Sequence, residues 1–179
     1  ANVTYISTMG FGNLPLDIKR IKVDSAEDIL QETQKGITAV TTQESERMPY
    51  LFMVAAVADF KPADPKDGKV KKSSVGTHWS IELEQTADVL ATINKSKIKT
   101  VGFKAEMDSQ EGLNNAVALL EKKGVDAVCY NLLNDAKSFG GSDNEITFIT
   151  KEKQVPLGRT DKLTLATKII DQAKGLING

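Results

Sequence analysis

The sequence predicts a three-layer α/β domain built on a mostly parallel sheet. Short apolar runs alternate with amphipathic stretches along the chain, the pattern of repeated strand–helix–strand units. The run YLFMVAAVAD is continuous, as expected for a strand buried on both faces. The later segment HWSIELEQT alternates instead, and so adds an antiparallel or edge strand outside the parallel pattern.

Each element has its own signal. NVTYIS (2–7) is rich in β-branched residues and reads as the first strand; IKRIKV (18–23) alternates as a half-exposed one. Ser25 with Asp28 three residues on is a capping-box signal, opening a helix expected to run to about residue 45. The buried strand follows at 50–59. HWSIELEQT (78–86) then sets Trp79, Ile81 and Leu83 on one face. A short helix is expected from Ala87 to Asn94, then strand KTVGFKAE (99–106), helix 109–123 and strand DAVCYNLL (126–133). A polar loop, strand NEITFIT (144–150) and a helix over 160–177 complete the chain, with Leu163, Ala166, Thr167 and Ile170 as the last helix's apolar stripe. Such folds ordinarily open on a strand, a glycine-rich turn and a helix. No such turn precedes the first strand here, so residues 1–179 read as one domain lacking its first βα unit.

Composition bounds the function. With 40% hydrophobic and 26% charged residues, the 179-residue chain has the makeup of a soluble globular domain. A formal net charge of −1 offers no global basic field, so nucleic acid is not expected as a partner. The single cysteine, Cys129, excludes an internal disulfide and fits a reducing cytoplasm. No apolar run approaches the roughly 20 residues that span a bilayer. ANVTYISTMG carries no basic leader, so neither a membrane nor secretion is expected.

Several familiar chemistries fail on their residues. TMGFGNLP (8–15) holds two glycines of a dinucleotide fingerprint but not the third, and Pro15 follows where a helix should open. An ordinary turn is the expected reading there. Cys129 lies inside an apolar strand, with the one histidine, His78, in an unrelated segment, so a buried hydrophobe is expected rather than a nucleophile or zinc ligand. No nucleophile elbow is present.

The stretch MVAAVADFKPADPKDGKVKK is more informative. Asp59 is expected at the carboxyl end of a central strand, where open α/β sheets bind ligands. It is either a strand-end turn residue or an acceptor for ribose hydroxyls, a base amino group or an indirectly held metal. The loop that follows carries Lys61, Lys66, Lys69, Lys71 and Lys72. A solvated basic loop is one reading; the other is a loop that closes over a polyphosphate and offsets developing charge. Thr86 is the expected N-cap of the short helix, with Asp88 in its first turn. Phe103 either stacks on a base or joins the core.

Taken in order, AAVADF (55–60), KVKK (69–72), IELEQTADVL (81–90), VGFKAE (101–106), KKGVDAVCYNLL (122–133), FGGSDNEITFI (139–149) and PLGRTDK resemble phosphopantothenate–cysteine ligase, the ligase half of the bacterial bifunctional coenzyme A biosynthesis flavoprotein. The resemblance runs along the whole chain and implies a Rossmann-like fold. It also implies an enzyme in which CTP, accompanied by magnesium, activates 4'-phosphopantothenate as an acyl-cytidylate with release of pyrophosphate. The L-cysteine amine then attacks and CMP leaves.

Carried over residue by residue, Asp59 matches a nucleotide-contacting aspartate, Ala55 and Ala56 the small residues beside the substrate, and Lys69 the catalytic loop lysine. Ala87, Asp88, Val89 and Leu90 match the cytidine-contacting segment, and Phe103 and Lys123 further nucleotide contacts. Thr86-Ala87 stand where the family has Asn-Pro, and Leu119 where it has a second helix lysine. The family's opening glycine-rich segment, with its Asn-x-Ser-Ser-Gly stretch, is not in this sequence, and neither is the flavin-dependent half, so no FMN is expected. In the family, the extra strands (here about 69–72 and 78–86) build the dimer interface, which implies a homodimer. The alternatives are a catalytically incomplete nucleotide-binding module or regulatory homologue and, behind it, a Rossmann-type oxidoreductase.

Overall fold

The computed structural model describes residues 1–12, 14–15, 17–42, 47–133 and 141–177. The expected end of the first helix at 43–45 and most of the polar loop, 134–140, lie outside them. The chain divides into two compact units, Ala1–Glu32 with Ala56–Val89 and Thr33–Ala55 with Leu90–Gly179.

In the first unit, β1 (Thr4–Ser7) and β2 (Lys19–Lys22) pair in parallel. Helix α1 (Ala26–Thr41) starts here and ends in the second unit. The capping signal is realised in both directions. Asp28 N–H donates to Ser25 Oγ at 3.1 Å, and Ser25 N–H to Asp28 Oδ2 at 3.0 Å. The rest of the unit is an antiparallel ribbon of β4 (Phe60–Pro62) and β5 (Leu83–Gln85), with Phe60 opposite Gln85. Between its strands lies a four-residue helix, α2 (Lys72–Val75). The extra antiparallel pair thus exists, and 83–85 lies within the expected strand 78–86, but its partner is 60–62 rather than 69–72. Lysines repel along a strand, whereas Ser74 Oγ bonds Lys71 O at 2.7 Å and closes a turn of helix at KKSS instead. Lys61 Nζ reaches Glu27 Oε1 at 2.7 Å and Glu84 Oε1 at 3.3 Å, fastening the ribbon to the first turn of α1.

The second unit is a five-stranded sheet in the order β3 (Tyr50–Met53), β6 (Lys99–Glu106), β7 (Ala127–Leu132), β8 (Asp143–Ile149), β9 (Gln154–Asp161). β3, β6 and β7 pair in parallel, and β8 runs antiparallel between β7 and β9. Its layering follows from alternation along β7. Ala127 and Cys129 join Val101, Phe148, Leu165, Ile169 and Ala173 on one face; Val128 and Tyr130 join Ala116, Leu120 and Ile149 on the other. Helix α5 (Lys162–Lys174) therefore covers the first face and α4 (Ser109–Lys123) the second, giving the three layers.

Three sequence expectations are corrected here. The apolar run from 50 is a strand only to Met53; residues 54–56 are exposed and irregular, because β3 is half-buried and, among the described residues, pairs only with β6. The lead into the last helix is a strand, β9. It accommodates Pro156 because β9, among the described residues, has β8 as its one neighbour, so an N–H can be missing on the open side, and a register irregularity sits beside it. The stripe of α5 is also displaced: Leu165, Ile169 and Ala173 are buried, while Leu163, Ala166, Thr167 and Ile170 face solvent. Both sets fit a helical period, and packing against Val101, Cys129 and Phe148 of the sheet buries the first.

Candidate functional site

In the first unit the ribbon positions the candidates. Asp59 directly precedes β4, exposed, and six residues beyond the end of β3 rather than at its carboxyl end. Its backbone is fixed. Thr86 N–H donates to Asp59 O at 2.9 Å, adding one rung to the β4–β5 ladder, and the Thr86 hydroxyl donates to Ala58 O. Thr86 is therefore not a helix cap. Helix α3 (Val89–Thr92) begins three residues later, behind half-buried Ala87 and exposed Asp88, and Val89 is buried. Ala56 also belongs to this unit, exposed on the irregular stretch before Asp59.

The loop lysines separate into two groups. Lys61 is committed to Glu27 and Glu84, bonds that raise its own pKa and hold the Glu27 carboxyl below its usual value. Lys66 is paired with Asp64. Lys69, Lys71 and Lys72 are exposed and make no ion pair among the described residues. Three uncommitted ammonium groups within four residues can neutralise a polyphosphate without first breaking an internal pair.

The second unit carries Ala55, Leu90, Phe103 and Lys123. Phe103 lies half-buried on the α5 face of β6, packed against the core there. Leu90 lies on the other face, against the α4 cluster. An added Cβ at Gly102 would come within 3.2 Å of Leu119 and 3.6 Å of Leu90, so position 119 points into the seam between α4 and β6. Lys123 ends α4, one turn past Leu119. Phe103 and Leu90 thus pack on opposite faces of β6.

The carboxyl end of β6 holds a polar cluster. Lys104 Nζ pairs with Glu106 Oε1 at 2.9 Å, and Asn115 Nδ2 donates to the same oxygen at 3.3 Å. Tyr130 Oη donates to Asp108 O at 3.4 Å, and burial, with Glu106 and Asp108 nearby, raises its pKa.

One further residue was missed in the sequence. Asn131, next to last in β7, has a buried Oδ1 with no partner among the described residues. It pairs in register with Ala105 and shares the α5 face with Phe103. A lone amide closing the apolar run VCYNLL was the available signal. Cys129, fully buried, has its thiol pushed up to about 12 by desolvation and is chemically inert as expected. His78 is exposed, with Thr77 Oγ1 at 3.1 Å from Nδ1. No cluster of three or more His, Cys, Asp or Glu suited to a metal occurs among the described residues. No helix there is long and apolar enough to cross a membrane.

Comparison with known proteins agrees with this architecture. The coenzyme A biosynthesis bifunctional protein CoaBC of Vibrio vulnificus is 31% identical over 99% of this chain. The chain spans only 43% of that relative's length. In the solved structure of a CoaBC C-terminal domain the same fold recurs, with a TM-score of 0.73 at 24% identity over 99% of this chain and 75% of that one. A Cab2 mutant in complex with phosphopantothenate-cysteine also shares the fold, with a TM-score of 0.63 at 17% identity over 90% of this chain and 55% of that one. The profile of the DNA/pantothenate metabolism flavoprotein C-terminal domain matches residues 1–176, and the chain belongs to that family.

Proposed function

We propose that this chain is a phosphopantothenate–cysteine ligase domain acting in coenzyme A biosynthesis, with CTP as the activating nucleotide. The observation that carries the reading is the division of the lysines on the loop that follows exposed Asp59. Lys61 holds the ribbon in place, while Lys69, Lys71 and Lys72 remain available for phosphate. Membership of the family, and relatives named for coenzyme A biosynthesis, support it.

In the first step a carboxylate oxygen of 4'-phosphopantothenate attacks the α-phosphorus of CTP. The bond to pyrophosphate breaks, leaving an acyl-cytidylate. In the second, the L-cysteine amine attacks the acyl carbon, loses a proton and expels CMP. Lys69 offsets the charge that builds on the departing pyrophosphate. Asp59 accepts hydrogen bonds from the nucleotide, and Ala87, Asp88, Val89, Leu90, Phe103 and Lys123 supply further nucleotide contacts. Asn131 adds an unpaired amide oxygen beside Phe103. Ala55 and Ala56 leave room for the phosphopantothenate. Magnesium would accompany the triphosphate and supply neutralisation of its phosphate charge. The protein works as a cytoplasmic homodimer.

Pyrophosphate release tests this. Full-length natural protein with CTP and 4'-phosphopantothenate is expected to release pyrophosphate, and added L-cysteine to yield CMP and the amide product. Binding of CTP without pyrophosphate release overturns the ligase reading in favour of a binding module. Binding of NAD(P) but not CTP removes both.

A further inference from the structure

We infer that Thr86 is a positioning residue for the nucleotide site, acting through a hydroxyl latch on the backbone that carries Asp59. The inference rests on the reading of Asp59 as a nucleotide contact. Asp59 is exposed, and no side-chain partner fixes its carboxylate in any hydrogen bond or ion pair described. Its placement therefore depends on its backbone. That backbone leaves an irregular stretch, 54–58, exposed at nearly every position and without a backbone–backbone hydrogen bond among the described residues. Downstream, the ribbon provides two bonds from one residue: Thr86 N–H to Asp59 O at 2.9 Å and the Thr86 hydroxyl to Ala58 O.

The two bonds differ in what they require. The N–H bond is a ladder rung that any residue but proline makes. The hydroxyl bond is a property of Thr or Ser at this position. It grips the carbonyl one residue before Asp59, so the peptide unit entering Asp59 is held at one end by a side chain and followed at once by a backbone bond. With both in place, the Asp59 Cα–Cβ vector is set relative to Ala87 and Asp88, which follow Thr86 directly. One residue thereby couples the acidic contact on one strand to the contact segment leaving the other.

Substitution of Thr86 by Val keeps shape and strand preference and deletes only the hydroxyl. The Thr86→Val protein is expected to bind CTP about five- to tenfold more weakly, the scale of one lost hydrogen bond. The loss is expected in KM for CTP rather than in kcat, because Thr86 touches no reacting atom. Thr86→Ser, which restores the hydroxyl, should return affinity to within about twofold of the natural protein. On an Asp59→Asn background Thr86→Val should add little, since the group it positions is already lost. Titration calorimetry with CTP on full-length protein, together with steady-state kinetics, reads all four. An unweakened Thr86→Val protein, a failed rescue by Ser, or full additivity with Asp59→Asn overturns the latch while leaving Asp59 as a contact. A silent Asp59→Asn overturns the nucleotide reading of Asp59 and the latch with it.

Discussion

At the scale of the residue, five lysines of similar sequence context have different fates, and only the fold distinguishes them. Lys61 and Lys66 carry internal partners, while Lys69, Lys71 and Lys72 make no ion pair among the described residues. Deleting the charge at Lys61 leaves Glu27 and Glu84 without their shared cation, whereas deleting it at Lys69 breaks no ion pair among the described residues. Lys69→Gln is therefore expected to keep its melting temperature and lose on the order of a hundredfold in kcat for pyrophosphate release, the usual cost of one electrostatic contact to developing charge. Full activity in Lys69→Gln removes the role of this lysine. The candidate site was partly legible in the sequence at this scale. The basic loop and the buried Cys129 can be recognised by residue type and neighbours. Commitment to a partner 34 residues away, as between Lys61 and Glu27, leaves no local trace. The same holds for the orphaned amide of Asn131, whose burial is set by strands on either side.

At the scale of the element, β6 and α4 match their sequence boundaries, since a strong period and clean ends coincide there. Elements decided by tertiary choice were not legible: β9 received no strand signal of its own, and the stripe expected for α5 is not the one the sheet buries. The junction of β6 and α4 shows how such choices are enforced. A Cβ at Gly112 would lie 2.7 Å from both Glu106 Cβ and Tyr130 Oη, closer than real contacts allow. On an exposed helix, Gly→Ala would gain about 1 kcal/mol in helix propensity. Here the strand-end carbon cannot move without shifting β6, so overpacking outweighs the gain. Gly112→Ala is expected to lose a net of about 1–3 kcal/mol in chemical denaturation. A more stable Gly112→Ala protein would show that α4 lifts freely from the sheet.

At the scale of the whole molecule, the α/β class was legible because periodicity is local, whereas the two compact units were not, because they arise from long-range pairing. What the sequence did mark is an imbalance of apolar surface. Trp79, Ile81 and Leu83 alternate onto one side, and with Phe60 they are 53–59% exposed. Four large apolar side chains on and beside a two-stranded ribbon are too many for a surface in water, and an isolated ribbon is itself of marginal stability. A second copy of the same ribbon is the cover that a self-complementary patch takes, since a twofold axis sets each residue against its equivalent region. The protein is accordingly expected to sediment at twice its monomer mass at micromolar concentration. Ile81→Glu places a carboxylate in the middle of that patch; it has little to disturb within the monomer, where Ile81 lies outside both strands of the ribbon. Its dimer should therefore weaken by at least about tenfold, the effect of burying one unpaired charge, while far-UV circular dichroism stays unchanged. Monomeric natural protein, or an Ile81→Glu dimer of undiminished affinity, would remove the ribbon as the interface.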